Sequence, residues 1–392
     1  MSLECRAAVL HRAGSPLTIE RISVVSPGPT DVLVRVRAAG LCHTDLEVIE
    51  GSLRYPLPMI LGHEASGIVQ EIGRDVRKVS IGDHVILSWN PHCGHCFYCD
   101  RDQPILCEHY LDQGPKGLHI EGQTKAQLKV GGSVTQLMFV GAFAEFCVVS
   151  EQQAIVVSKD IPFDRACLIG CGVMTGIGGA LNVADIGFGD TVMVVGCGAV
   201  GLAAIQGAIL GSAGEIIAVD LDDTKLSLAK QLGATMTINA AREDPVQLAK
   251  SVTRGRGADV ILESAGHPAA FRQTTEAVRP GGQVIWLGKM DVEKELSFRW
   301  GALMGEKRLR RSSYGGARPR RDFPRLAAAY LDGKLKLDEL ITARIKLDEI
   351  NQGLRTCGKA DQSAPLWSFE RRVYRHRVGR ATLSIFRSVP PA

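Results

Sequence analysis

At 392 residues, with 45% hydrophobic and 22% charged side chains, the chain has ordinary globular composition and length for two or three cores. Its formal charge of +4 sits at one end: residues 369–392 carry six arginines against one glutamate, a net of +5, which leaves the remainder near −1 and excludes the broad basic face of a nucleic-acid binder. No apolar run reaches the ~18 residues of a bilayer span, and Arg6, His11, Arg12, Glu20 and Arg21 break every leader-like stretch, so a cytoplasmic protein without membrane contact is expected.

Residues 1–87 read as short strands divided by Gly and Pro: Arg6-Ala-Ala-Val-Leu10, then Val32-Leu-Val-Arg-Val-Arg37 with period-two alternation, then 66–73 and 82–87. Strands of this kind build a compact, irregular β domain. Within it stand Gly40-Leu-Cys42-His-Thr-Asp45 and, about twenty residues on, Gly62-His63-Glu64. A soft thiolate and an imidazole from two segments, joined later by Cys171, form a three-ligand zinc set with the fourth position left for water or substrate.

Cys93, Cys96, Cys99 and Cys107 follow with C-x₂-C-x₂-C-x₇-C spacing. In a chain with eleven cysteines and no export signal, that density favours metal ligands over disulfides. Four thiolates close a tetrahedron around a second zinc and leave no open position, so this site is structural. The neighbouring His92 and His95 are then superfluous and solvated. Residues 108–142 are polar and aperiodic and read as a long surface loop able to shape a cleft or an interface. Strand pattern returns at 143–149, where Cys147, like Cys5, Cys167 and Cys197, reads as core.

Past 172 the texture changes to alternating strands and helices. Thr191-Val-Met-Val-Val195 is a buried parallel-type strand running into Gly196-Cys-Gly198-Ala199-Val200-Gly201 and a helical stretch to Leu210. A second strand, 215–220, ends on Asp220, nineteen residues past the last motif glycine. A bare G-x-G-x-x-G is weak, but between strand and helix, with an acid at this distance, it marks a dinucleotide site. Its glycines admit the tight turn and the pyrophosphate, and the helix N-terminus supplies oriented amides. Asp220 would accept from the adenosine ribose hydroxyls and repel a 2′-phosphate, favouring NAD over NADP; the alternative is an ordinary strand-end turn residue. Helices near 223–232, 244–253 and 268–279 and strands at 235–238, 258–263 and 283–287 continue a doubly wound α/β sheet. Residues 306–311 are basic, and a helix at 323–331 and a strand at 340–345 resume a mixed fold.

Together these residues resemble the zinc-containing alcohol dehydrogenases of the medium-chain dehydrogenase/reductase superfamily, over about residues 5–353. The resemblance implies a discontinuous GroES-like β-rich catalytic domain (1–171, with the zinc lobe at 93–107, and a return segment at 316–361) around a Rossmann domain (172–315), the active site lying in the cleft between them. It implies two zinc ions and NAD and an alcohol or aldehyde substrate; dimers and tetramers both occur in the family, the long 108–142 loop favours a homodimer, and no nucleic-acid or membrane partner is expected of the near-neutral body. It assigns the catalytic zinc to Cys42, His63 and Cys171 and the proton relay to Thr44. Asp45 orients His63, and Glu64 approaches the metal transiently. By the same resemblance Thr175 contacts the nicotinamide, Lys225 the adenosine ribose, and Trp89, Phe143 and Tyr314 line the substrate pocket, which favours unbranched or benzylic primary alcohols.

The departures are as informative. Glu47 stands where many relatives have the outer proton-accepting histidine, and His43 stands where some have an arginine on the pyrophosphate. The closing apolar strand of relatives, with its phosphate-binding arginine, has no evident counterpart after Gly353, and 362–392 form an atypical basic tail. An altered reading frame, a native extension and a membrane-surface arm all account for such a tail. Three rival functions stand beside the NAD-dependent alcohol dehydrogenase: a glutathione-dependent formaldehyde dehydrogenase, a zinc-stabilised nucleic-acid binder and a catalytically impaired relative.

Overall fold

The computed structural model describes residues 2–358 and 384–387; the basic tail, apart from 384–387, lies outside the described residues. The described residues divide into two compact units, one of 2–93, 108–167, 341–358 and 384–387, the other of 94–107 and 168–340. In this division residues 316–340 group with the second unit and the chain rejoins the first at 341.

The first unit opens with strands Ser2–Leu10 (β1), Thr18–Val25 (β2) and Asp31–Leu41 (β3), followed by helix His43–Glu50 (α1). Strands Met59–Ile60 (β4), Glu64–Ile72 (β5), His84–Leu87 (β6), Ala126–Leu128 (β7), Ser133–Gln136 (β8), Phe146–Ser150 (β9) and Ala154–Val156 (β10) follow. β1, β2, β7, β8 and β4 close a small barrel, while β3 is central to a second sheet and has buried residues on both faces. The stretch 108–142, expected as a surface loop, therefore supplies two barrel strands and the short helix Glu108–Gln113. Strands of three or four residues are too short to show a period. Their turn is legible only afterwards, in Gly131 and Gly132, whose φ of +92° and +102° suit glycine alone.

That stretch also carries a buried ionic clasp. Asp31, completely buried at the start of β3, accepts from Lys125 Nζ at 2.7 Å and faces His119 Nε2 at 3.1 Å. The Glu121 amide donates to His119 Nδ1, which leaves Nε2 as the protonated nitrogen directed at Asp31. Asp31, His119 and Glu121 also have metal-ligand proximity, but the Lys125 ammonium occupies the place of a cation there.

A helical run, Phe163–Val183 (α2), follows. It has 21 residues, a mean hydropathy of 1.6 and 78% of its most apolar window buried in the fold. By length and composition it passes for a bilayer span, contrary to the sequence reading, but its apolar surface is covered by protein. Two π turns, at Ile169–Val173 and Gly179–Val183, interrupt its α-helical hydrogen bonding.

The second unit is built on strands Thr191–Val195 (β11), Glu215–Asp220 (β12), Met236–Asn239 (β13), Ala258–Glu263 (β14), Val278–Trp286 (β15) and Arg308–Arg311 (β16), all parallel, in the order β13-β12-β11-β14-β15-β16. This is the doubly wound 3-2-1-4-5-6 order. Helices Ala199–Leu210 (α3), Asp223–Gln231 (α4), Pro245–Val252 (α5) and Pro268–Ala277 (α6) connect the strands. Local chemistry starts them: Asp222 caps α4 by accepting from Thr224 N at 2.7 Å, and Asp244 caps α5 through Val246 N at 2.9 Å, each worth about 1 kcal/mol. β16, read from sequence only as a basic stretch, is the sheet's edge, where exposed arginines discourage further pairing. Helix Pro319–Leu331 (α7) stays with this unit because Tyr314 stacks edge-on with Phe323 and Gln206 exchanges two hydrogen bonds with the Lys336 backbone.

The chain then returns to the first unit with strand Arg344–Lys346 (β17), helix Ile350–Gly358 (α8) and strand Ser384–Arg387 (β18). Gly353 lets α8 sit close on the sheet: a Cβ there would collide with Ile345 and meet Leu41 at 2.9 Å. β18 pairs parallel with β3 and antiparallel with β17. The closing strand thought to lack a counterpart is therefore supplied by the tail, with Arg387 at its end.

Candidate functional site

The register of β3 against β5 builds the first half of the metal site. Gly40 pairs with Glu64, so Cys42, just past the end of β3, and His63, just before β5, emerge side by side. A Cβ at Gly40 would collide with the Glu64 carboxylate, and one at Gly62, whose φ is +87°, would collide with the Phe143 ring. Both motif glycines are needed where they stand. Cys42 also caps α1, and Asp45 at the third helical position accepts from the Cys42 amide at 3.0 Å.

Asp45 is wholly buried and accepts from the Gly62 amide at 2.9 Å, so one carboxylate ties together the two segments that carry the ligands. Its Oδ1 faces His63 Nδ1 at 3.6 Å. His63 is 1% exposed, and with Nδ1 facing Asp45, Nε2 is the ring nitrogen left for a metal. Burial alone would depress the ring's pKa, but the Cys42 and Asp45 charges outweigh it and raise it well above the ordinary value. These surroundings favour a cation. Cys171, in the first π turn of α2, completes the set: ligand atoms of Cys42, His63, Glu64 and Cys171 lie within 4.8 Å of one another. The donors suit zinc.

Cys93, Cys96, Cys99 and Cys107 converge equally closely. Burial and the neighbouring thiols push the Cys99 thiol up to about 12, so a metal binding here displaces protons. Arg101 lies over the Phe97 ring at 3.6 Å and its guanidinium donates to the Phe97 carbonyl, stiffening the lobe.

At the carboxyl edge of the parallel sheet, Gly196 turns with φ +89°, and a Cβ there would approach the Ala265 amide to 2.7 Å. Gly198 caps α3, and Gly201 sits where any side chain would strike the Gly196 carbonyl. Asp220, 4% exposed, accepts from the Cys197 amide at 2.7 Å and from those of Leu221 and Asp222 at 2.7 and 3.1 Å. A cavity of about 300 Å³ opens beside it, lined by Gly196, Asp220, Leu221, Ala265, His267 and Gln273 among others. The last three were not singled out from the sequence. The signal was the strand order, which places the loop after β14 opposite the glycine turn.

The other expected residues are distributed as follows. Thr44 is buried on α1, Glu47 half-buried one turn later, and His43 exposed at the helix start. Glu47 lies near Tyr55, whose phenol burial and that carboxylate push up to about 12. Thr175 donates to the Cys171 carbonyl at 2.8 Å, and Lys225 is buried on α4. Ala199 and Val200 are half-buried at the start of α3. Of the expected pocket residues, Trp89 is 8% exposed, whereas Phe143 is wholly buried against Gly62. Tyr314 is 2% exposed and donates to the Gly170 carbonyl at 2.5 Å. Phe143 and Tyr314 thus each have packing or hydrogen-bond partners within the protein.

Residues 28–159 match the alcohol dehydrogenase GroES-like domain and residues 199–332 the zinc-binding dehydrogenase domain. The chain is also 36% identical over 356 residues to an S-(hydroxymethyl)glutathione dehydrogenase of Komagataella pastoris, an alignment spanning 89% of this chain and 93% of that one. The chain belongs to the zinc-containing alcohol dehydrogenase family. Two solved members share its fold closely. A zinc-binding-domain alcohol dehydrogenase from Burkholderia ambifaria superposes with a TM-score of 0.89 at 31% identity over 100% of both chains. The benzyl alcohol dehydrogenase of Acinetobacter calcoaceticus gives 0.87 at 31% identity, over 98% of this chain and 99% of that one. Like its family, this protein is a zinc-dependent dehydrogenase.

Proposed function

We propose that this dehydrogenase uses NAD to oxidise primary alcohols, aliphatic or benzylic, to aldehydes by hydride transfer. The observation that carries the reading is the convergence of Cys42, His63 and Cys171, with Glu64 beside them. Three such ligands would hold zinc and leave a position for a substrate oxygen. Zinc bound there supplies Lewis acidity towards the alcohol, and the dinucleotide supplies the hydride acceptor. The chain's own groups do the rest. Asp45 holds His63 in orientation. Thr44 Oγ1 takes the alcohol proton and passes it outward, and Glu47, three residues on along the same face of α1, receives it. Asp220 accepts from the ribose hydroxyls, and its charge disfavours a 2′-phosphate. His43 serves the pyrophosphate, Thr175 the nicotinamide and Lys225 the adenosine ribose.

The benzylic preference draws on likeness to the Acinetobacter enzyme. The likeness to the Komagataella enzyme favours a second reading, oxidation of the glutathione adduct of formaldehyde. An assay of zinc-replete protein separates the two: benzyl alcohol, a straight-chain primary alcohol, and formaldehyde with glutathione, each with NAD and with NADP. NADH formed from benzyl alcohol, and abolished by Cys171→Ala, is the expected result. Turnover confined to the glutathione adduct replaces the first reading with the second. Silence towards all three, with zinc bound, removes both.

A further inference from the structure

Glu263 ends β14 and is completely buried, yet it belongs to neither metal site and does not line the nucleotide cavity. Register places it in one row across the sheet, between Val195 and Trp286, with Arg311 beyond. Its Oε1 accepts from the Gly266 amide at 2.7 Å, and the amides of Ala265 and Gly288 also face the carboxyl. Its backbone carbonyl accepts from Leu287 and Gly288 at 2.7 and 2.9 Å. Oε2 has no hydrogen-bond partner, and a Cβ on Gly288 would lie 2.7 Å from it. One side chain thus pins the loops that leave β14 and β15.

The first of those loops is a wall of the dinucleotide cavity. Ser264 Oγ donates to the Gly196 carbonyl at 2.9 Å, and Ala265 and His267 line the cavity. We propose that Glu263 is a positioning residue for dinucleotide binding: its carboxylate sets the 264–266 loop against the glycine turn, and loss of its charge loosens that wall. The inference rests on the dinucleotide reading above.

Burial pushes the Glu263 carboxyl up to about 7, against the opposing pull of the facing amides and of Arg311. It therefore exchanges its proton near neutrality. Ionised, it draws charge-assisted hydrogen bonds from the loop amides; protonated, it holds them more weakly. The facing charged group is Arg311 on β16; His267 on the same loop and Asp220 at the end of β12 border the cavity, and Lys289 follows β15.

The test is NADH affinity of the zinc-loaded protein, followed by nucleotide fluorescence between about pH 6 and 8. Affinity is expected to rise about tenfold across this range, the effect of a one-unit difference in pKa between free and bound protein. Glu263→Gln should bind weakly and evenly across the range, and His267→Gln should keep the slope. Glu263→Asp, which keeps the charge but draws it back from the amides, should weaken binding and move the midpoint. It serves if the glutamine variant does not fold. A slope retained in Glu263→Gln, or unchanged affinity and midpoint in Glu263→Asp, overturns the inference. Absence of any dinucleotide binding by the unmodified protein instead overturns the cofactor reading on which it rests.

Discussion

At the scale of single residues, Asp45 has the widest reach for its size. It accepts from the Cys42 and Gly62 amides and faces the His63 ring, so both ligand-bearing segments and the ring's orientation depend on one carboxylate. Partners of this kind typically contribute 10–100-fold to metal affinity. Asp45→Ala is expected to lose the catalytic zinc at micromolar free metal while the four-cysteine lobe keeps its own, so bound zinc falls from about two per chain to about one by elemental analysis. Two ions retained per chain would show that the Cys42, His63 and Cys171 set needs no such support. Glu47 has a different consequence. On the relay proposed above, Glu47→Gln removes the outer proton acceptor and should slow turnover on the order of 100-fold in a steady-state assay, with zinc content unchanged.

At the scale of elements, the Asp31 clasp joins the start of β3 to the 119–125 segment. Burial works to raise the Asp31 pKa, but His119 and Lys125 outweigh it and hold it at about 2. A carboxyl depressed on folding stabilises the fold above its unfolded pKa of about 3.9, and that contribution fades as pH falls towards 2. Asp31→Asn is expected to cost about 3 kcal/mol at neutral pH and to flatten the acid dependence between about pH 4 and 2, as read by denaturant unfolding across pH. An unchanged acid limb would place the dependence elsewhere. The clasp also marks what sequence could reveal. Cys42, His63, the four-cysteine lobe and the glycine turn were legible because their partners are near in sequence or fixed by strand register. Lys125 and His119 looked like loop residues because their meaning depends on a strand about ninety positions earlier. β7 and β8 were missed because strands so short show no period, and Glu263 because Gly288 and Arg311 reach it from the ends of two other strands.

At the scale of the whole molecule, the fold class, the doubly wound sheet and the metal sets could be read in advance, but the manner of closure could not. Nothing in Ser384-Ile-Phe-Arg387 announces a strand; only the place left beside β3 and β17 selects it. Ending the chain at residue 383 is expected to lower the melting temperature by several degrees, since about 1 kcal/mol corresponds to 2–4 °C in a unit of this size. An unchanged melting curve would show that β18 adds no stability. The pairing has a further consequence for biosynthesis. β3 leaves the ribosome long before β18, so its Ala38–Leu41 stretch must wait without that partner while the chain between them is made. An open strand edge is a template for the wrong partner. The yield of active protein should therefore depend on how crowded nascent chains are, improving with slower expression or a chaperone that shields the edge until β18 arrives.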